Sequence, residues 1–376
     1  MISWPLTVGT GWGIYGTNLT LELLKTPTYQ PILLAGLSNL ELMPQTQQQQ
    51  LKAVLSSQSS IHQPLDFPIL CALGNQFNTS EFVANLKSPQ KIGLIFFEDT
   101  HFTPEAINVA KTYKQIITGS TWNTTILKQY GLTEVYTIFQ GINPTLFYPA
   151  PKTGKFANRF VIFSGGKLEY RKGQDIVIAA FKAFHRRHPD AVLVTMWHNY
   201  WPQFMQGLEQ AGYVVGIPAV TTEGQLQVQE WLIKNGIPSD AVVDAGLIPN
   251  HLTPQLLRDV DVAVFTNRGE GGTNLVAMEC LACGIPTILS ANTGHLDLIH
   301  PQHCYPLQQQ SAVTPMPPYS GVEGWGESDV EEVVETLEQV YQNRSEAQSR
   351  GAAAVRWMED WTWEKQIQRL LHQITL

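Results

Sequence analysis

Residues 260–290 read VDVAVFTNRGEGGTNLVAMECLACGIPTILS. The run VDVAVFT (260–266) is apolar and β-branched, the length of a strand buried on both faces. A polar, glycine-rich loop follows, and a helix begins near Thr273, apolar nearly all round, that stops at Gly284 before a second buried run, PTILS (286–290). Strand, loop, helix and strand at this spacing form a parallel α/β unit, and the helix N-terminus offers free N–H groups to an anion. Glu279 stands among Leu275, Val276, Met278, Leu281 and Ala282. An ionised carboxylate there is costly unless partnered, either by an internal cation or by the ribose hydroxyls of a bound nucleotide. Cys280 and Cys283 have CxxC spacing, but they lie mid-helix with no second pair and read as small packing residues.

The same alternation runs through the chain. Upstream candidate strands are 2–6, 32–36, 67–73, 93–97, 115–119 and 135–141, with Pro5 a contradiction inside the first. The segment INPTLFYPAPKTGK (142–155) holds Pro144, Pro149 and Pro151 and reads as a linker. The alternation restarts with 160–164, 191–197 and 241–246, ahead of 260–266 and 286–290. Two β-α-β series joined by a proline-rich linker predict an α/β fold of two doubly wound, Rossmann-like domains facing a cleft. The expected division is 1–150 and 151–345, with 346–376 as C-terminal helices.

With 376 residues the chain exceeds a single core of the usual size, and its 43% hydrophobic and 15% charged composition is that of a folded globular protein. A net charge of -8 speaks against a nucleic-acid partner, which calls for a basic face. Four Cys are too few for a disulfide framework and fit a reducing compartment. The longest apolar stretch, 275–289, is interrupted by Glu279 and too short to span a bilayer, and MISWPLTVG carries no export signal. A cytoplasmic location is the expectation. The Gln-rich stretch 45–50 and the Pro-rich stretch 305–327 read as surface loops. His185-Arg186-Arg187-His188 allows a peripheral membrane contact but reads as solvated surface.

Several further segments carry chemistry. Gly11-x-Gly13-x-x-Gly16 follows the first strand and matches the dinucleotide fingerprint, in which backbone and helix N-terminus approach a pyrophosphate. A dehydrogenase also wants an acid at the end of the second strand; here that strand ends ILLAGLSN, and Glu41 comes well after it. A ligand-touching loop in the interdomain cleft is preferred over a bare turn. In Phe163-Ser164-Gly165-Gly166-Lys167-Leu168-Glu169-Tyr170-Arg171-Lys172-Gly173 a strand runs into a glycine turn, then two lysines at a helix start, which suits a diphosphate. His101 follows the strand GLIFF, at the carboxyl end where open α/β sheets bind ligands, and Trp197-His198-Asn199-Tyr200-Trp201 follows another. There is no G-x-S-x-G elbow for a hydrolase.

Together these residues resemble the retaining glycosyltransferases of family 4, which have the GT-B fold. The resemblance covers nearly the whole chain and is strongest from FSGGKLEYRKGQDIVIAAF through GLIPNHLTPQLLRDVDVAVFTNRGEGGTNLVAMECLACGIPTILSANTGHLDLI. The tails WGESDVEEVVETLEQVY and WTWEKQIQRLL are also similar to the family, the last implying a helix that crosses back onto the first domain. The resemblance implies that Lys167, where the family usually has Arg, and Lys172 hold the donor diphosphate. It implies that Glu279 binds the ribose, and that Gly271, Gly272, Thr273, Asn274 and Leu275 offer backbone amides to sugar and phosphate. Gly11 and Gly13, with Gly166, would close on the diphosphate; Gly246, Leu247 and Ile248 would meet the base; His101 would lie by the transferred sugar, and Glu270 would contact it. Two departures stand out. Eight residues separate Glu270 from Glu279 against the family's seven, and Lys167 loses the planar fork of Arg.

The implied activity moves a hexosyl group from a nucleotide diphosphate sugar to an acceptor hydroxyl with retention. UDP-sugars are favoured and GDP-mannose is the alternative; the acceptor is a small molecule, glycan or lipid-linked sugar. The front-face route needs no protein nucleophile, no metal and no further cofactor: the leaving phosphate accepts the acceptor proton. Three other readings compete. One is an NAD(P)-linked oxidoreductase using the Gly11 loop, another a nucleotide-sugar-binding protein without turnover, and the third an epimerase on the same fold.

Overall fold

Short β-branched runs, buried on both faces, build two parallel sheets in the computed structural model, which describes residues 1–34, 36–39, 42–56 and 65–375. The first sheet runs β1 (Ile69–Leu73), β2 (Lys91–Ile95), β3 (Gln115–Thr118) and β4 (Val135–Thr137), neighbours in that order and all parallel. The expected strands 2–6 and 32–36 do not form ladders. They touch the sheet through isolated parallel bridges, Ile2 to Leu33 and Leu70 and Leu6 to Leu37. Pro5 has no N–H to give, which accounts for the break in the first, and Ala35 lies outside the described residues. Glu41 lies outside them too.

The second sheet comprises β5 (Phe160–Lys167), β6 (Ala191–His198), β7 (Val242–Asp244), β8 (Val262–Phe265), β9 (Thr287–Ser290) and β10 (Tyr305–Leu307). Its order is β10-β9-β8-β5-β6-β7, so the winding reverses between β5 and β8. The crevice outside the carboxyl ends of strands at such a reversal is where doubly wound sheets take ligands. The loops that leave β5 and β8 are the two glycine-rich segments quoted above.

Two chain crossings join the halves, and they are paired. Ile142 and Thr362 form a bridge, with Ile142 N–H donating to Trp361 O at 2.9 Å and Trp363 N–H to Ile142 O at 3.1 Å. Beyond it the helix Trp363–Thr375 buries Trp363, Ile367, Leu370 and Ile374, one stripe at helical spacing, against Ile2, Leu6, Tyr15 and Leu19. Each such side chain contributes about 1.5–3 kcal/mol when fully buried. The return starts later than the expected 346. The helix Arg344–Met358 packs on the second half instead: Ala354 and Met358 share a core with Ala277, Leu281 and Leu289. No helix is long and apolar enough to cross a membrane among the described residues.

Candidate active site

A cleft of about 850 Å³ opens between the two sheets. The segments after β5 and β8 form its floor. Gly173 makes their approach workable: its φ is +67°, and a Cβ there would overlap the Thr266 carbonyl. The turn Tyr170–Lys172 then points two cations inward.

Those cations meet a ring of carboxylates. Arg171 Nε lies 2.7 Å from Glu169 Oε2, and its NH1 lies 3.2 Å from Glu98 and 3.6 Å from Glu270. Lys172 Nζ pairs with Glu270 Oε2, which also accepts from Asn267 Nδ2 at 2.8 Å. Lys167 Nζ is 4.0 Å from Glu169 and 4.7 Å from the centre of the Trp201 ring. Burial alone would raise the Glu270 carboxyl, but Lys172 and Arg171 outweigh it and hold it at about 2. Burial lowers Lys172 despite Glu270 beside it. Three cations thus balance Glu98, Glu169 and Glu270. Burial raises the Glu98 carboxyl, with Arg171 opposing it, and Lys167 is the most exposed of the three cations.

Glu279 has a different environment. It is buried, and Asn250 Nδ2 donates to its Oε1 at 2.6 Å. No cation lies within ion-pairing distance of it among the described residues, so the internal salt bridge is not formed. Burial pushes the carboxyl up to about 8, opposed only by the Asn250 bond. Met196, Leu247, Ile248 and Thr253 line the same cleft and supply an apolar slot in its wall.

From the other side, Gly9, Thr10 and Gly11 line the cleft. The Thr10 side chain caps the helix Gly11–Leu24 by accepting from Gly13 N–H at 3.1 Å. Gly13 itself packs on Thr7, where a Cβ would overlap the backbone, and Gly16 packs on Trp4 and Leu6. The fingerprint glycines divide: Gly11 faces the cleft, and the other two let helix and strand approach.

Residues 249–370 match the model of a family described as family 4 glycosyltransferase in conflict systems. No curated protein matches the chain. Anabaena HepE is 15% identical, with a TM-score of 0.65 over 100% of this chain and 99% of that one. The sucrose-phosphate synthase of Thermosynechococcus elongatus gives 0.66 at 15% identity over 99% and 97%, and a glycosyltransferase of Rickettsia africae 0.67 at 12% over 100% and 97%. At this identity the likeness is one of architecture, and it spans both sheets and the returning helix. The fold is GT-B. The similarity to family 4 read from the sequence is borne out.

Within this GT-B cleft the expected residues are not all assembled. Lys167, Lys172, Gly166, Glu270, Gly272, Asn274, Leu275, Leu247 and Glu279 line it. His101 does not. It is exposed, and Ser320 and Gly321 bond to nearby Asp99 and lie against the His101 main chain. Gly271 packs against Phe97, and the Thr273 hydroxyl is buried 3.0 Å from Met278 Sδ, so these two support the loop from behind. Gly246 and Gly13 are likewise off the lining. Cys280 sits in the core and Cys283 at its edge; both thiols are free and raised by burial. His188 pairs with Glu338, and Arg187 reaches the same carboxylate.

Sequence reading missed Glu98, Arg171 and Tyr319, all at the cleft. Arg171 was legible as a third cation beside Lys172. Glu98 comes three positions after β2, in the same stretch that led to His101 and next to Asp99. Tyr319 arrives on a proline-rich loop with no periodicity, and no local signal points to it.

Proposed function

We propose that the protein is a retaining, metal-independent glycosyltransferase that moves a hexosyl group from a UDP-sugar to an acceptor hydroxyl. Glu279 carries this reading. A buried carboxyl with one neutral donor and no cation, in a cleft wall beside an apolar slot, has capacity for two more hydroxyl donors. The ribose of a nucleotide supplies them. UDP is favoured because HepE, of the same fold, has been solved with UDP, with UDP and glucose, and with UDP-glucose.

In this reading the diphosphate displaces Glu270 from Lys172 and engages Lys167, while the base lies against Leu247 and Ile248. Both lysines stabilise the charge that grows on the leaving phosphate as the anomeric C–O bond breaks. The acceptor hydroxyl attacks from the same face and gives its proton to that phosphate, so no side chain forms a covalent bond to the sugar. Glu270, released from Lys172, becomes available to the sugar hydroxyls. Lys167 holds the phosphate as a point charge, without a guanidinium's two-pronged grip.

The test is calorimetric titration with UDP, GDP, UDP-glucose, GDP-mannose and NAD, on wild type and Glu279→Ala. UDP and UDP-glucose are expected to bind, and the substitution to weaken them by about 1.5–3 kcal/mol, the scale of hydrogen bonds to a charged group. Binding of NAD alone, or of no nucleotide, overturns the reading. Consumption of UDP-glucose with an acceptor mixture, and the anomeric configuration of the product by NMR, then separate a retaining transferase from a binding protein.

A further inference from the structure

Among the described residues, His198 in the cleft wall has no hydrogen-bond partner of normal geometry, the Gly9 main chain being the nearest to one. It ends β6 in register with Lys167 at the end of β5, and lines the cleft together with Gly9, Lys167, Glu169 and Trp201. Both ring nitrogens are closed off from solvent, and neither makes a hydrogen bond of normal geometry. Leaving a buried polar group so costs about 1–3 kcal/mol, and such groups in folded proteins are nearly always paired.

The groups that face the ring are few. Lys167 and Glu169 supply the charges, the main chain of Gly9 faces it from the first half of the molecule, and Tyr200 stands edge-on with centroids 5.7 Å apart. The Glu169 carboxylate pairs with Arg171 through Oε2 and lies 4.0 Å from Lys167 through Oε1. Burial first, then Lys167, lowers the imidazole pKa. The ring is therefore neutral near pH 7 and has one N–H to donate.

We propose that His198 is a positioning residue for the donor diphosphate, giving its N–H to a phosphate oxygen that Lys167 also holds. This rests on the nucleotide-sugar reading above. The strand register sets the two side chains next to each other at the mouth of the crevice, and the Gly9 turn closes the third side. An anion that enters between this turn and β5 meets Lys167 and His198 together.

Binding then changes what the ring senses. Free, it faces the Lys167 cation; occupied, it faces a phosphate as well, which favours the protonated form. His198 therefore takes up a proton as the diphosphate binds, and through this group affinity rises as pH falls. Glu279 acts in the opposite sense, because ribose hydroxyls favour its ionised form. The two are separable, since a His198 substitution removes only the uptake.

The experiment is calorimetric titration of UDP into wild type, His198→Gln and His198→Phe at pH 6.5, in two buffers of different ionisation enthalpy. Gln keeps an N–H donor and does not titrate. It is expected to bind within about threefold of wild type while taking up about half a proton less. Phe fills the space without a donor and is expected to bind about tenfold more weakly. Equal proton counts in wild type and Gln, with Phe binding as wild type does, overturn the inference and leave the donor reading intact. Failure of wild type to bind any nucleotide diphosphate overturns both. Should Phe fail to fold, the proton count of Gln decides.

Discussion

A carboxyl group shut away beside one amide donor holds its proton, and this gives Glu279 a signature apart from any ligand. Its folded value of about 8 lies above the ordinary 4.5 of an unfolded chain. The folded state therefore binds the proton more tightly, and the resulting stability is complete below about pH 4.5 and lost as pH rises through 8. Glu279→Gln keeps the acceptor for Asn250 and removes the titration. The variant is expected to match wild type at pH 4.5–5 and to exceed it at pH 8.5 by a few kcal/mol, on the order of 1.4 kcal/mol per pH unit at the steepest. Urea denaturation of both proteins across this range checks it. Parallel profiles would mean that Glu279 is ionised and partnered in the folded chain, and the argument for an awaited ribose would lose its footing.

At the scale of elements, the first glycine turn separates two roles that share one sequence pattern. A Cβ on Gly13 overlaps the Thr7 backbone, and backbone cannot swing aside as a side chain can; one on Gly11 meets only Leu275 Cδ1, at 4.0 Å. Gly13→Ala is expected to cost about 1–3 kcal/mol or more in unfolding free energy. Gly11→Ala is expected to fold normally, with its effect confined to nucleotide binding. Equal melting temperatures for the two variants would show that the helix can slide off its strand. This division was hidden in the sequence because G-x-G-x-x-G looks the same whether a glycine faces a phosphate or a neighbouring strand. Where a motif lies within one loop and its flanking elements, its residues come together in the structure: Lys167, Lys172, Glu270 and Glu279 all line the cleft. Where the outcome depends on a distant segment, placement was not legible: His101 was placed by the strand before it, but its main chain is covered by Ser320 and Gly321, which bond to Asp99 from more than two hundred positions away. The order β8-β5 was likewise not legible, because the two strands come together across almost a hundred intervening residues that form their own strands and helices.

For the whole molecule, several contacts hold the halves over the cleft, among them Ser120 Oγ to Gly271 O at 2.8 Å and Thr121 Oγ1 to Asp297 at 2.6 Å, and two of the sets differ in kind. On one side the paired crossings at Ile142 and Thr362 are covalent connections held side by side by main-chain hydrogen bonds, so the halves stay joined there whatever happens elsewhere. On the other, the Asp99 carboxylate accepts from Ser320 N–H at 3.1 Å, Ser320 Oγ at 3.0 Å and Gly321 N–H at 2.7 Å. Thr100 N–H donates to Gly321 O at 3.0 Å, and Trp325 Nε1 to Glu98 O at 3.0 Å. A fixed hinge and a breakable clasp are what a cleft needs if substrates enter and products leave by domain opening. Asp99→Ala removes the acceptor of Ser320 N–H, Ser320 Oγ, Gly321 N–H and His101 N–H and leaves three backbone donors to find water, a change of about 1–3 kcal/mol in favour of the open form. The variant is expected to show a larger radius of gyration by small-angle X-ray scattering, with an unchanged melting temperature for the second-half core. Addition of UDP should restore part of the wild-type value, since a ligand that touches Lys167 on one side and Gly11 on the other favours closure by its differential contacts. If the radius does not change, Trp325 and the Arg171 cluster hold the halves without Asp99, and the release point lies among the carboxylates at the cleft floor instead.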